Sequence, residues 1–159
     1  MSDAFDLEAE LGGIVDSLNA GQVPYALCGG LALAVHGHPR ATKDIDLLVE
    51  ASEIEHVFAT VKGAGFTLRA GPIPLGVATG SPQRLFRATK VSGGAHLTLD
   101  LLEVSEAYRE AWASRLAVEW KGRQLSVVSR SGLVSMKLLS TRGKDLVDIE
   151  TLQGPIDEG

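Results

Sequence analysis

Two aspartates, Asp44 and Asp46, stand two residues apart in the segment DIDLLV, which continues as an apolar run to Val49. This composition favours a buried strand, and because side chains alternate along a strand, both carboxylates face the same side. Two like charges at this spacing cost free energy unless a cation lies between them. Hard oxygen ligands of this kind suit Mg²⁺ bound together with the phosphates of a substrate. The pair therefore predicts a metal site.

A glycine pair, Gly29-Gly30, precedes these aspartates in the chain. It separates a strand-like run, residues 25–28, from a helix-like run, residues 31–35. Glycines at such a junction leave backbone N–H groups facing an anion and let a phosphate approach without a Cβ in the way. A phosphate site followed by a carboxylate pair indicates a nucleoside triphosphate as ligand. The alternative is a tight turn that binds nothing.

A third carboxylate, Asp100, lies in the middle of the apolar strand predicted over residues 96–104. An ionised carboxylate in such a strand is costly unless it is paired or coordinates a metal. If this strand lies beside the Asp44-Asp46 strand with a matching face, the three carboxylates converge. The alternatives are an exposed position or an ion pair with an arginine such as Arg87.

The composition describes a single-domain protein. The chain has 159 residues, of which 45% are hydrophobic and 22% charged, with a formal net charge of −5. One domain over residues 1–159 can bury a core of its own at this length. The single cysteine, Cys28, rules out an internal disulfide and is expected to be a small buried hydrophobe. With no membrane-length apolar stretch and an acidic N-terminus, we expect a cytoplasmic protein that uses no membrane.

Periodicity and turn signals predict an alternating α/β order in the first half. The predicted elements are a helix over 4–19 capped by Asp3, strands over 25–28 and 44–49, and helices over 31–35 and from 51 or 52 to 62.

The second half is predicted to be strand-rich at first and helical at its end. The predicted elements are turns with a short irregular strand near 75–78, an edge strand over 84–91, a hairpin into 96–104, a short helix over 105–113, a hairpin over 117–120 and 124–128, a helix over 132–140 capped by Ser129 or Ser131, and a last helix through 144–149.

In order and spacing, these motifs resemble a known superfamily. Gly29-Gly30 followed by Arg40-x-Thr42-x-Asp44-x-Asp46 resembles the first motif of the DNA polymerase β-like nucleotidyltransferases. Lys137 followed by Arg142-x-Lys144-Asp145-x-x-Asp148-Ile149 is similar to the closing motif of small AbiEii-type nucleotidyltransferases. The G-G form of the first motif is also that of the AbiEii-like and aminoglycoside-modifying branches. The resemblance covers residues 25–152.

The resemblance implies a minimal nucleotidyltransferase fold, α/β (α+β) in class, in which a small mixed β-sheet is flanked by helices. It implies transfer of a nucleoside monophosphate from a triphosphate to an acceptor hydroxyl. Asp44 and Asp46 would hold two Mg²⁺ ions, with Mn²⁺ as the alternative, and Asp100 would complete the catalytic metal site. Gly29 and Gly30 would bind the β- and γ-phosphates. The candidates to neutralise the triphosphate are Arg40, Lys43 and Lys137, for which solvation or simple snorkelling is the alternative.

The acceptor stays open among RNA, a small molecule and a protein. The resemblance also implies a toxin–antitoxin or phage-defence component with an antitoxin partner. Many relatives carry a further helical domain that helps to form the acceptor pocket. We expect no such domain here, and therefore either a homodimer or an open acceptor site. A non-catalytic nucleotide- or protein-binding module of the same fold is the alternative from a different class, and a metal-dependent phosphohydrolase is a third.

Overall fold

A computed structural model describes residues 5–38, 42–75 and 82–138 of the chain. In these residues, one seven-stranded mixed sheet is flanked by helices, with the strand order β3-β4-β5-β2-β1-β7-β6. The predicted fold class is therefore confirmed, although the sheet is larger than the small one expected. The elements are α1 (Leu7–Ala20), β1 (Ala26–Cys28), α2 (Gly29–Val35), β2 (Asp44–Val49), α3 (Ile54–Lys62), β3 (Leu68–Leu75), β4 (Gln83–Ser92), β5 (Ala95–Glu103), α4 (Arg109–Ala113), β6 (Leu116–Trp120), β7 (Arg123–Val127) and α5 (Arg130–Leu138).

The three strands at the centre of the sheet are β5, β2 and β1, and each contributes fully buried leucines. β2 pairs with β1 in antiparallel fashion and with β5 in parallel fashion. β1 in turn runs parallel to β7. Strands covered on both faces read as nearly continuous apolar runs, as β1 and β2 do. The fully buried leucines and isoleucine of β2 and β5 are Ile45, Leu47, Leu48, Leu99 and Leu101.

Two amphipathic helices cover this sheet through faces that the sequence predicted. α1 buries Leu11, Ile14, Val15 and Leu18, and α3 buries Ile54, Val57, Phe58 and Val61. Gly21 ends α1 as expected. The predicted N-cap Asp3 is wrong, because the side chain of Asp6 accepts a hydrogen bond from the Ala9 N–H and α1 begins at Leu7.

Two predictions near the middle of the chain are wrong. β3 is an eight-residue strand that ends at Leu75, where turns and an irregular strand near 75–78 were expected. It hydrogen-bonds to β4, so the strand predicted over 84–91 lies inside the sheet rather than at its edge. A shift of register between Ala70 and Ile73 accommodates Gly71 and Pro72 within β3. Residues 76–81, which include most of the predicted irregular strand, lie outside the described ranges.

The last described elements follow the prediction closely. β6 and β7 form the expected hairpin, whose turn places Lys121 and Gly122 at positive φ. Ser129 caps α5, because its Oγ accepts a hydrogen bond from the Gly132 N–H at 3.1 Å. The helix predicted through 144–149, and with it the closing motif after Lys137, lies outside the described residues. Across the described ranges, no helix is long and apolar enough to cross a membrane.

Candidate active site

The strand register places Asp46 at the centre of the candidate site. β2 lies between β1 and β5, and Asp46 is opposite Cys28 on one side and Asp100 on the other. Asp44 is opposite Thr98, two residues before Asp100 on the same strand. The condition for the three carboxylates to converge, that the two aspartate-bearing strands lie side by side, is therefore met. Their faces match, because Asp44, Asp46 and Asp100 occupy alternate positions of paired parallel strands.

The three carboxylates differ in burial and repel one another electrostatically. Asp100 is buried, Asp46 is half-buried and Asp44 is exposed. Burial, followed by the charges of Asp100 and Asp44, raises the pKa of Asp46 to about 7, against the smaller opposing effects of Lys137 and Arg87. The protein therefore holds one of these carboxylates partly protonated at neutral pH. A bound cation would remove that cost.

Arg87 on β4 pairs with Asp100. Its Nε and one terminal nitrogen donate to the two carboxylate oxygens at 2.7 and 3.1 Å. The ion pair named as an alternative for Asp100 is therefore present. The hydrogen bonds to Asp100, together with the charges of Asp44 and Asp46, raise the pKa of Arg87. The guanidinium thus lies within the electrostatic field of all three aspartates.

The donor set suits a divalent cation in part. Asp44 and Asp46 supply hard oxygen ligands, and burial together with the charges of Asp100 and Asp44 raises the pKa of Asp46. Asp100 is engaged by Arg87 instead. Among the described residues, no group of three or more histidines, cysteines, aspartates and glutamates is arranged to hold a metal ion. The metal roles of Asp44, Asp46 and Asp100 therefore stay predictions.

The glycine pair packs against the strand that carries the aspartates. Gly29 has a φ of +72°, and a Cβ there would overlap Oδ2 of Asp46 and lie 2.9 Å from its Cγ. A Cβ on Gly30 would lie 3.1 Å from both Cβ and Oγ1 of Thr42. The structure thus supplies a reason for each glycine that the sequence did not reveal. Phosphate binding by Gly29 and Gly30 stays a prediction.

The structure places the three basic side chains predicted to bind the triphosphate differently. Lys137 lies in α5, and its charge lowers the pKa of Asp46, so it is close enough to act on the site. Lys43 is exposed immediately before β2. Arg40 lies outside the described residues. The nucleotide-binding roles of all three stay predictions.

Two connections beside the site were not foreseen from the sequence. His36 Nε2 donates to the carbonyl of Val128 at 2.8 Å, and Arg130 donates to the carbonyl of His36 at 3.1 Å. Both tie the end of α2 to the start of α5, which carries Lys137. The parallel pairing of β1 with β7 brings α2 and α5 together. These contacts could be predicted only if that pairing were already known. Cys28 is buried as predicted, and burial together with Asp46 raises the pKa of its thiol.

Solved structures share this fold at low sequence identity. One is a protein from Thermotoga maritima assigned as a nucleotidyltransferase, with 17% identity, coverage of 97% of this chain and 94% of that one, and a TM-score of 0.61. Another is ANT(2'')-Ia in complex with adenylyl-2''-tobramycin, with 14% identity, coverage of 98% and 91%, and a TM-score of 0.65. A protein from Helicobacter pylori, JHP933, has 17% identity, coverage of 94% and 67%, and a TM-score of 0.57.

The family follows from the sequence itself. Residues 14–158 match the family model described as nucleotidyl transferase AbiEii toxin, type IV TA system. The chain belongs to this AbiEii family and is a nucleotidyltransferase. The predicted family and enzyme class are therefore confirmed. A search of curated proteins gave no match.

Proposed function

We propose that this protein transfers a nucleoside monophosphate from a nucleoside triphosphate to an acceptor hydroxyl in a reaction that requires a divalent metal ion. The observation that carries this proposal is the position of Asp46. It lies against Gly29 of the strand–helix junction, opposite Asp100, and has a pKa raised to about 7 by burial and by neighbouring carboxylates. Such a carboxylate is suited to a cation that arrives with its substrate.

The residues divide into ligands and phosphate-binding groups. Asp44 and Asp46 would hold Mg²⁺, or alternatively Mn²⁺, and Asp100 would complete the set once it is released from Arg87. When bound, the ions lower the pKa of the acceptor hydroxyl and balance the charge of the departing pyrophosphate. The backbone N–H groups of Gly29 and Gly30 would bind the phosphates. The side chains proposed to neutralise the triphosphate are Arg40, Lys43 and Lys137.

We also propose a biological role from the family. The AbiEii family is named for a toxin of a type IV toxin–antitoxin system. On this basis, nucleotide transfer would inactivate a cellular acceptor, and an antitoxin partner would counteract the enzyme. RNA, small-molecule and protein acceptors all present suitable hydroxyl groups. ANT(2'')-Ia, with its adenylyl-tobramycin, illustrates a small-molecule acceptor on the same fold.

The proposed organisation is one domain over residues 1–159. The seven strands that the structure describes between Ala26 and Val127 belong to a single sheet, which supports this proposal. In a homodimer, the second subunit would form part of the acceptor pocket. Equilibrium sedimentation of the active protein tests the homodimer, and a fully active monomer would contradict it.

Label transfer tests the proposed reaction. Purified protein is mixed with each α-phosphate-labelled nucleoside triphosphate, Mg²⁺, and separate RNA, protein and small-molecule fractions. An Asp44→Asn, Asp46→Asn double variant removes the proposed ligands. Asp16→Asn is the matched control, because Asp16 is an exposed carboxylate of α1 that pairs with Arg123 away from the site.

The proposal expects label on one fraction with the wild type and with Asp16→Asn, and a loss of at least about 100-fold in the double variant. The labelled fraction names the acceptor class. Labelled free nucleotide in every fraction would point to the phosphohydrolase instead. Nucleotide binding without any transfer would point to the binding module.

Growth of cells that express the protein tests the proposed role. The wild type is expected to arrest growth, whereas the Asp44→Asn, Asp46→Asn variant at the same protein level is not. Arrest by both proteins would show that toxicity does not depend on nucleotide transfer.

A further inference from the structure

The Arg87 guanidinium places one positive charge beside Asp44, Asp46 and Asp100. Its guanidinium forms a two-pronged contact with Asp100, at 2.7 and 3.1 Å, across the antiparallel pair β4–β5. The Asp100 side chain is 10% exposed, whereas that of Arg87 is 44% exposed. The carboxylate is therefore fixed in the sheet, while its cationic partner reaches it from the solvent side.

The fork uses the oxygen atoms that a metal ion would need. Each Asp100 oxygen accepts one hydrogen bond from Arg87. A divalent cation bound to the same carboxylate would lie beside a guanidinium of like charge, and the two would repel. Asp44 and Asp46 attract the same guanidinium. Arg87 and a metal ion therefore compete for one cluster of negative charge.

We propose that Arg87 is the resident counter-ion of the metal-free site, and that a divalent cation displaces its guanidinium from Asp100 when the site is loaded. This inference rests on the proposed metal-dependent function. The step is an exchange of ions in which no covalent bond or proton changes place. Arg87 thus acts on metal binding through its contact with Asp100.

The exposure of Arg87 makes such an exchange feasible. A guanidinium that is nearly half exposed keeps part of its hydration, so its release into water costs little compared with that of a buried ion pair. Asp100 stays in place because the neighbouring residues Leu99 and Leu101 are fully buried. The exchange therefore needs rotation of one side chain and no movement of the sheet.

The same two strands provide a matched control. Arg84 on β4 makes an equivalent fork with Glu103 on β5, at 3.0 and 2.6 Å. The exposures are similar, 53% for Arg84 and 14% for Glu103. Glu103 is paired in register with Val49 at the far end of β2 from Asp44. Arg84→Gln therefore removes an equal ion pair without touching the aspartate cluster.

Mn²⁺ binding to the full-length protein tests the proposal. The loss of the free-Mn²⁺ signal in electron paramagnetic resonance gives the affinity, with the wild type, Arg87→Gln, Arg87→Lys, Arg84→Gln and Asp46→Asn compared at pH 7.5. Unfolding temperatures are measured in parallel with a chelator and with Mn²⁺. These readouts do not depend on the acceptor.

The proposal expects Arg87→Gln to bind Mn²⁺ roughly tenfold more tightly than the wild type, because the competing charge is gone. Arg87→Lys, which keeps the charge but loses the fork, is expected to lie in between, and Arg84→Gln to match the wild type. Arg87→Gln is also expected to be less stable than the wild type in chelator and to recover with Mn²⁺.

Suppose that wild-type Mn²⁺ binding depends on Asp46 but that Arg87→Gln binds Mn²⁺ no more tightly than the wild type. The proposed competition between Arg87 and the metal would then be wrong, while the metal site itself would stand. Such a result would mean that Arg87 holds Asp100 in place for the metal. An absence of Asp46-dependent Mn²⁺ binding in the wild type would instead overturn the proposed metal site, and the exchange with it.

Discussion

The carboxylate of Asp46 fills the space in which a side chain at position 29 would begin. Gly29 follows Cys28, the residue directly opposite Asp46 in the antiparallel pair of β1 and β2. A Cβ at this position would overlap Oδ2 of Asp46. The position of the Asp46 carboxylate therefore depends on the absence of a side chain at Gly29.

Gly29→Ala is expected to displace the Asp46 carboxylate and to lower nucleotide-transfer activity by at least about tenfold. The variant combines this collision with a φ of +72°, which an L-residue adopts at a cost. Together these effects are expected to lower the free energy of unfolding by about 1–3 kcal/mol. Urea unfolding and initial transfer rates measure the two effects.

Gly37→Ala is the matched control for this variant. Gly37 lies just after α2 at a φ of +94°, and a Cβ there would have no neighbour within 4 Å in the described structure. Gly37→Ala has the cost of an L-residue at positive φ but no collision with a neighbour. We therefore expect its free energy of unfolding to fall by about 1 kcal/mol and its activity to be retained. Equal losses of activity in the two variants would contradict the packing relationship between Gly29 and Asp46.

The stability of the metal-free protein is expected to fall as the pH rises from about 4 to about 7. In the unfolded chain, the Asp46 carboxyl loses its proton near the ordinary value of 3.8, whereas in the folded protein it keeps the proton until about 7. The folded state binds more protons in this window, so stability decreases with pH. At 1.36 kcal/mol per pKa unit, the contribution reaches about 4 kcal/mol as an upper figure.

Asp46→Asn isolates this contribution. Denaturant unfolding in chelator at pH 5 and pH 8 is expected to show a smaller loss of stability in Asp46→Asn than in the wild type. Saturating Mg²⁺ is expected to restore the wild type at pH 8 and to leave the variant unchanged. The same pH dependence in both proteins would show that Asp46 does not carry the effect.

Lys137→Ala is expected to raise the KM for the nucleoside triphosphate by about tenfold. The charge of Lys137 lowers the pKa of Asp46, so the side chain acts on the site from α5. Its removal deprives the triphosphate of a charge-assisted contact. Steady-state kinetics with Lys137→Arg, which is expected to keep part of the affinity, provide the measurement.

Lys62→Ala is the control for Lys137→Ala, since Lys62 is an exposed lysine in the last turn of α3 for which no role at the site is proposed. An increase in KM of similar size in both variants would indicate a general effect of net charge rather than a contact at the site.

Ser129→Ala is expected to lower the free energy of unfolding by about 1 kcal/mol, because the Ser129 hydroxyl accepts a hydrogen bond from the Gly132 N–H at the start of α5. Urea unfolding measures the change. Ser131→Ala, which removes an exposed hydroxyl beside that of Ser129, is expected to cost less. A larger loss in Ser131→Ala would show that the cap has been assigned to the wrong residue.

Elements with a strong pattern could be predicted from the sequence. The apolar periodicity of α1 and α3 and the apolar run Leu47–Val49 in β2 reflect burial directly, so the predicted positions of these elements are close to those observed. Asp100 was found because a carboxylate in an apolar strand requires a partner. A charged residue in an apolar segment has a high desolvation cost, so the sequence identifies it clearly as a candidate for a functional or paired position.

The errors have a physical origin in tertiary pairing. Gly71, Pro72 and Pro74 are typical turn residues, and they concealed β3, which tolerates them as an edge strand with a register shift. β4 is predicted at the edge because its apolar and basic residues do not separate cleanly by face, and that pattern does not reveal its partner β3. The close approach of Gly29 to Asp46 likewise follows only from the register of β1 and β2, which the local sequence pattern does not specify.

The most direct test of nucleotide transfer is the stoichiometry of its two products. Pyrophosphate release and acceptor-bound α-phosphate label are measured in the same reaction, with Mg²⁺ and with chelator, for the wild type and for Asp46→Asn. We predict equimolar pyrophosphate and acceptor-bound label in the wild type with Mg²⁺, and neither product in chelator or in Asp46→Asn. Pyrophosphate accompanied only by free nucleoside monophosphate, or equal product formation by Asp46→Asn, would contradict the account.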